Sequence, residues 1–131
     1  MRRSFYHLAL VFTGLLFANF SCQDHVVPQK EAQIKTESRA DLGTGVWNYR
    51  LSITDLGNVP ITEYGIVYVT SALPAPLTPT VSDTKIIFPL ITTLGLKTRP
   101  GLKPVGANIF YRAYAILENG SVVYGETNLE D

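Results

Sequence analysis

Few residues of this chain have side chains suited to covalent or acid–base chemistry. It contains one cysteine, Cys22, and two histidines, of which His25 lies just after that cysteine. Nucleophilic catalysis needs a serine or cysteine held beside a base. We find neither a Cys/His metal spacing nor a glycine loop that would cradle phosphate. We therefore expect no enzyme, no catalytic residue, no bound metal and no cofactor.

The carboxylates offer no better pair. Four of them lie at or near predicted turns, where a solvated surface group is the expected role: Asp55, Glu63, Asp83 and Glu118. Residues 55–58 do not form a calcium loop, because such a loop needs oxygen ligands at alternating positions and a distal glutamate. The chemistry available to this sequence is therefore concentrated at its single cysteine.

Cys22 directly follows a segment typical of an export signal. Two arginines at positions 2 and 3 give a positive start, and residues 8–18 form an apolar run. That run is well short of the roughly 20 apolar residues that cross a bilayer, and a segment of this type is removed during export. Ser21 and Cys22 at its end resemble the lipobox of bacterial lipoproteins.

The resemblance implies that Cys22 becomes a lipidated, membrane-held N-terminus. Asn19 and Phe20 depart from the aliphatic and small residues usual in a lipobox, so the likeness rests on the Ser-Cys pair. The alternative is cleavage after Ala18, which leaves an unpaired thiol, unusual in an exported protein. Gln23 is not the aspartate that retains some lipoproteins in the inner membrane, so we expect an outer-membrane lipoprotein of the cell envelope.

The chain divides into a signal peptide at residues 1–22, a polar tether at 23–31 and one domain at 32–131. Removing the signal leaves 9 basic and 11 acidic residues, a net charge of −2. Nucleic acid is a poor partner, since its binding depends on clustered lysines and arginines. Without a second cysteine the domain has no disulfide, so its core must hold it together.

A two-residue period dominates the domain and predicts strands. Residues 47–54 alternate apolar and polar side chains, and the second half of 61–69 is apolar on both faces, as in a central strand. The turn residues at 55–60 lie between them, so we expect a hairpin. The prolines of 71–79 predict a loop that crosses between sheets.

Residues 85–90 resume the strand pattern and contain a proline, which indicates an edge strand or a bulge. Glycines and prolines in 95–106 predict a turn region. The strongest strand, 109–117, is followed by an Asn-Gly hairpin turn and a returning strand at 122–127. No helical period follows the signal helix, so we expect an all-β, antiparallel sandwich of two sheets.

Residues 34–126 resemble the fibronectin type III-like modules of bacterial surface lipoproteins. Three parts are similar to the family's third strand, its turn before the sixth strand, and its sixth and seventh strands: residues 61–68, residues 102–104, and residues 111–115 with 123–126. The resemblance implies an immunoglobulin-like sandwich. Ile109 replaces the family's usual corner tyrosine, so packing or Tyr111 must hold that corner.

Aromatic side chains make the candidate binding surface. Six residues would form an exposed strip able to stack on sugar rings: Tyr64, Tyr68, Phe110, Arg112, Tyr114 and Tyr124. The alternative, which we favour, is cross-strand pairing that stabilises the sheets, with Arg112 covering a neighbouring ring. Trp47 and Tyr111 lie on the more apolar faces of their strands and are expected in the core.

We expect a non-catalytic, lipid-anchored module of the cell envelope that contacts a protein or a polysaccharide, on the warrant of fold and anchor. The alternative is an assembly subunit that accepts a partner's strand at an open edge near residues 122–129, where the last strand is short. Glu126, Glu130 and Asp131 would then guard the edge against self-association.

Overall fold

The structure is a computed structural model that describes residues 26–131. The predicted signal peptide, Cys22 and His25 lie outside the described residues. Within the described residues eight strands follow one another: β1 (Gln33–Gly43), β2 (Val46–Asp55), β3 (Ile61–Ser71), β4 (Thr84–Ile87), β5 (Gly95–Leu102), β6 (Asn108–Leu117), β7 (Val122–Tyr124) and β8 (Asn128–Glu130).

The strands form two packed antiparallel sheets, which confirms the predicted all-β sandwich. One sheet has the order β1-β2-β5, and the other has the order β4-β3-β6-β7, with β8 also paired to β6. β2 and β3 therefore lie in different sheets, and the predicted hairpin between them is wrong. β3 is instead a central strand of the second sheet, where it lies between β4 and β6.

The core lies between the two sheets and follows the predicted alternation. In β2 every second residue is buried: Trp47, Tyr49, Leu51 and Ile53. In β6 the buried inward row is Ile109, Tyr111, Ala113, Ala115 and Leu117. The Trp47 ring centroid lies 5.9 Å from that of Tyr49 and 6.5 Å from that of Tyr111. Trp47 and Tyr111 are thus core residues that contact each other across the sandwich, as predicted.

β5 occupies part of the region that was predicted as a turn. It pairs with β2 from Gly95, opposite Ile53, to Leu102, opposite Val46. Most of its side chains are exposed, so the strand shows no apolar alternation in the sequence. Pro100 is tolerated because β5 lies at the edge of its sheet. The prediction was wrong because the backbone, and not the side chains, ties this strand to its neighbour.

The proline-rich segment at 72–83 does not cross between sheets, because the strands that it joins, β3 and β4, are neighbours in one sheet. Its prolines keep it out of the ladder, as expected, and it folds over its own sheet instead. Pro79 is fully buried there. β4 is an edge strand, as predicted, and ends before Pro89.

Two glycine-containing turns reverse the chain between paired strands. Gly120 has a φ of 86°, and the Leu117 amide donates to the Ser121 carbonyl at 2.9 Å, which confirms the predicted hairpin between β6 and β7. A second hairpin joins β1 to β2 through Gly43, Thr44 and Gly45, all at positive φ. We did not predict this turn, although its glycines are the signal for it.

The hydroxyl of Tyr111 joins β1 to β8. It accepts a hydrogen bond of 3.3 Å from the Arg39 amide and donates one of 3.4 Å to the Glu130 carboxylate. This hydroxyl is directed at β1 and β8, whereas at the start of β6 Ile109 is buried in the core and the Asn108 amide group donates to the Ser71 carbonyl at 3.2 Å.

One side of the sandwich is closed by contacts between β1 and the second sheet. Thr36 is buried, and its hydroxyl accepts a hydrogen bond of 2.9 Å from the Ala113 amide of β6. The Gly125 amide, between β7 and β8, donates to the Ala113 carbonyl at 3.0 Å. A Cβ at Gly125 would lie only 2.5 Å from the Thr36 hydroxyl. We call these three residues the Thr36 seam.

Replacing Trp47 with alanine should lower the free energy of unfolding by about 3–5 kcal/mol, because it removes a large buried ring. Chemical denaturation followed by circular dichroism measures this. The matched control is Leu102→Ala, since Leu102 lies at the same end of the β2–β5 pairing, opposite Val46, but is largely exposed and should change stability by less than about 0.5 kcal/mol. Equal effects of the two substitutions would contradict the burial described above.

Replacing Thr36 with valine should lower the free energy of unfolding by about 1–3 kcal/mol, because the Ala113 amide then stays buried without an acceptor. Thr36→Ser keeps the hydroxyl and should lose less, and Thr98→Val, at an exposed position on β5, is the control for the chemical change. Hydrogen exchange adds a local readout. The Ala113 amide should exchange faster in Thr36→Val alone, and unchanged exchange there would refute the seam.

Candidate binding surfaces

The structure divides the six predicted strip residues between the two faces of the second sheet. Tyr64 belongs to the core, and Tyr68 packs against it. The other four lie on the outer face, since those on β6 alternate with its core row and Tyr124 pairs with Tyr114: Phe110, Arg112, Tyr114 and Tyr124. The six residues do not form one continuous strip. As a ligand-binding surface they stay a prediction.

The outer-face aromatic residues contact the segment at 72–83. The Arg112 guanidinium lies 3.6 Å from the centroid of the Tyr124 ring, and its Nε donates to the Pro79 carbonyl at 2.5 Å. The Tyr124 hydroxyl accepts a hydrogen bond of 3.1 Å from the Val81 amide. Arg112 thus covers a neighbouring ring and also fixes the segment. Residues 72–83 therefore lie over part of the face that a sugar would have to stack on.

Glu63 organises a polar cluster beside this face. Its Oε1 accepts hydrogen bonds of 2.8 Å from both the Lys85 ammonium and the Tyr114 hydroxyl. These two bonds, with that from Lys85 the larger cause, hold the pKa of the Glu63 carboxyl below its usual range. Burial, followed by the bond to Glu63, raises the pKa of the Tyr114 hydroxyl. Tyr114 lies opposite Gly65 in the sheet register. The Lys85 ammonium and the Tyr114 hydroxyl thus share one oxygen of Glu63 as their acceptor.

Part of the predicted tether is held against the domain. Asn58, in the turn after β2, exchanges backbone and side-chain hydrogen bonds with Lys30: its amide donates to the Lys30 carbonyl at 2.8 Å, and its Oδ1 accepts from the Lys30 amide at 2.7 Å. Its Nδ2 donates to the Pro28 carbonyl at 2.9 Å. Lys30 also pairs with Asp55 at 2.5 Å. Only residues 23–27 remain between Cys22 and this docked segment.

The same contact explains the turn glycine. Gly57 has a φ of 60°, and a Cβ there would lie 2.2 Å from the Lys30 carbonyl oxygen. The Asp55 carboxylate accepts a hydrogen bond of 2.8 Å from the Gly57 amide, which with the stronger contact from Lys30 lowers the pKa of Asp55. The sequence predicts the turn but carries no signal for the segment at residues 28–30 that contacts it.

The edge near residues 122–129 differs from the prediction. β6 is paired with β7 from Tyr114 to Ile116 and with β8 from Ile109 to Tyr111, and Gly125 bridges the two. β6, the strand next to this edge, is therefore paired with β7 and β8. The prediction that its backbone groups lack partners is wrong. Two short strands, β7 and β8, pair with β6 in place of one long strand, and Gly125 of the Thr36 seam lies between them.

Glu130, predicted to guard that edge, instead makes specific contacts. Its carboxylate pairs with the Arg39 guanidinium at 3.1 Å, and that guanidinium lies 4.1 Å from the centroid of the Trp47 ring. The Arg39 side chain is mostly buried. The charge at this end of the last strand therefore belongs to the contact between the sheets.

The opposite side of the sandwich is more open. There the two edge strands β4 and β5 face each other across a shallow groove of about 360 Å³, lined by residues 85–87 and 99–101. Arg99 gives this groove positive charge, since Lys85 is paired with Glu63, and Ile86 and Ile87 give it apolar surface. Its volume is within the range of small-molecule sites, but those are enclosed and mostly apolar.

The described residues carry no group suited to metal binding or membrane crossing. Within residues 26–131, no three His, Cys, Asp or Glu side chains meet where they would hold a metal ion. No helix in that same stretch is long and apolar enough to span a bilayer. Of the carboxylates considered above, Asp55 and Glu63 pair with lysines, and Asp83 accepts a hydrogen bond of 2.7 Å from the Thr80 amide.

A scan against models of known protein families and a search of curated proteins found no match to this chain. The candidate binding surfaces of this domain are therefore compared by their geometry alone. Three remain: the outer aromatic face beneath residues 72–83, the groove between β4 and β5, and the end of the domain where residues 28–30 dock.

The Glu63 cluster predicts a pH dependence of stability. Because the pKa of Glu63 is lower in the folded protein than its ordinary value of 4.5, the charged carboxylate stabilises the fold above that value and loses its effect as the pH falls through the folded pKa. Glu63→Gln keeps an acceptor oxygen but no charge. It should lower the free energy of unfolding at neutral pH by on the order of 1 kcal/mol, and the difference should vanish in acid.

Glu126→Gln is the matched control, because Glu126 is exposed. Urea titrations of the three proteins at neutral and acidic pH supply the comparison. A difference between wild type and Glu63→Gln that stayed constant across the pH range would show that the charge of Glu63 does not stabilise the fold.

Proposed function

We propose that this protein is a bacterial outer-membrane lipoprotein, anchored through Cys22, whose single sandwich is a non-catalytic module that contacts a protein or polysaccharide of the cell envelope. The observation that carries the proposal is the sequence around the cysteine. A charged start, an apolar run and Ser21 lead directly to the only cysteine of the chain. Two or more acyl chains on that residue would suffice for stable membrane attachment.

The proposal includes a fibronectin type III-like identity for the two-sheet sandwich. The resemblance assigned residues 61–68 to the family's third strand, 111–115 to its sixth and 123–126 to its seventh. In the structure these segments fall on β3, on β6 and at β7, which are the third, sixth and seventh strands in chain order. Modules of this architecture serve many unrelated functions, so their role lies in the surfaces that they present.

A second candidate function is assembly by strand addition, in which an extended segment of a partner pairs with an exposed sheet edge. The observation that favours it is the edge strand β5, whose side chains are largely exposed along eight residues. Pro100 and Arg99 on β5 are residues that protect edges against unspecific pairing. Identification of a stoichiometric partner that Thr98→Pro releases would favour assembly over glycan contact.

Replacing Cys22 with alanine should move the protein from the membrane fraction to the soluble envelope fraction, because the thiol that carries the lipid is lost. Fractionation with labelled palmitate measures both effects in one experiment. Ser21→Ala is the control, since alanine is also a small residue and should preserve modification. Membrane-bound Cys22→Ala, together with wild type that incorporates no palmitate, would overturn the proposal.

A further inference from the structure

The end of the domain beside the docked N-terminal segment is apolar. The turn after β2 and the connection from β4 to β5 meet there. Four large side chains at this end are exposed, by 37 to 61%, and we call them the apolar end patch: Leu56, Leu90, Ile91 and Leu94. Val26 and Val27, which precede the docked residues, are exposed as well. A patch of this kind usually marks an interaction surface.

Two depressions and a hydrogen bond to the core locate the two segments that carry the apolar end patch. A shallow depression of about 270 Å³ is lined by Leu56, Pro60 and Thr92, so the β2–β3 turn adjoins the connection that carries the other three side chains. A second depression, which shares Pro60, extends to Val27. The Tyr64 hydroxyl donates to the Ile91 carbonyl at 3.0 Å and thereby ties the connection to the core.

Chain length decides which end of the domain would meet a membrane. The Pro28 carbonyl accepts a hydrogen bond from Asn58. Cys22 precedes Pro28 by six residues, which extend over at most about 20 Å. β2, with ten residues, spans about 33 Å. An anchor at Cys22 therefore cannot let the opposite end of the sandwich reach the bilayer in an upright domain. The apolar end patch is the surface within its reach.

The charged side chains at this end indicate whether a contact with lipid would be electrostatic or apolar. Lys30 is paired with Asp55, and Glu31 and Glu118 are exposed nearby. No excess of positive charge is present among these side chains to attract anionic lipid. The contact that this surface can make with a bilayer is therefore apolar, with leucine and isoleucine side chains at the boundary between headgroups and acyl chains.

We propose that the apolar end patch rests in the lipid surface beside the anchor, and so fixes the orientation of the domain on the membrane. The proposal rests on the proposed lipidation of Cys22. It adds a second membrane contact, made by the folded domain itself, to the attachment made by the acyl chains.

The test uses the full-length lipidated protein, purified from membranes and reconstituted into phosphatidylcholine vesicles. A lipidated Cys22 has no free thiol, so a cysteine introduced by Leu94→Cys can be labelled with an environment-sensitive fluorophore. Val105→Cys, at an exposed aliphatic position in the loop before β6, is the matched control at the opposite end. Leu90→Cys provides a second position in the apolar end patch, and far-UV circular dichroism verifies folding.

We expect the labels at Leu94 and Leu90 to be quenched by nitroxide lipids and to be about threefold or more less accessible to iodide than the label at Val105, as for side chains at the lipid boundary. Added salt should leave the quenching by nitroxide lipids unchanged, because the contact is apolar. Vesicle-bound protein with all labels equally accessible to iodide would overturn the apolar end patch and leave the anchor standing. Quenching only with anionic lipid would also overturn it. Protein that neither incorporates palmitate nor sediments with vesicles would overturn the anchor itself, and this inference with it.

Discussion

The hydrogen bond from the Ala113 amide to the Thr36 hydroxyl joins the two sheets at the point where the last strand is interrupted. No disulfide is available for this purpose, since the chain has one cysteine. The absence of a side chain at Gly125 lets β1 approach closely enough for that bond. β7 and β8 then pair with β6 on either side of it, and the Tyr111 hydroxyl and the Arg39–Glu130 ion pair extend the same contact along β1.

This closure makes the sandwich asymmetric. On the side of the Thr36 seam the edges of the two sheets are bonded to each other, whereas β4 and β5 are separated by a groove on the other side. The outer face of the second sheet is also occupied, because Arg112 and Tyr124 hold residues 72–83 against it. Much of this aromatic-rich sheet is thus used in packing, and the groove, the loops and the two ends are the more open surfaces.

The sequence predicted the strands whose side chains alternate, because alternation reflects the burial of one strand against its own neighbours. β2 and β6 were placed in this way. It did not predict the partner of each strand, since the turn after β2 is compatible with a hairpin and with a crossing between sheets. β5 was missed because its exposed side chains carry no pattern. The aromatic strip failed for a related reason: Tyr64 and Tyr114 are both tyrosines on neighbouring strands, and only the register puts them on opposite faces.

Docking of residues 28–30 on Asn58 changes what a lipid anchor would do for this domain. A fully flexible tether from Cys22 to the first strand would let the sandwich tumble, but five residues between the cysteine and a bonded Pro28 hold one end close to the attachment point. If that end met the membrane, contacts with a partner would fall to the β4–β5 side and to the far end. Leu102 and Val105 are largely exposed at that far end. The same short connection that would orient the domain would therefore also select the surface that it presents.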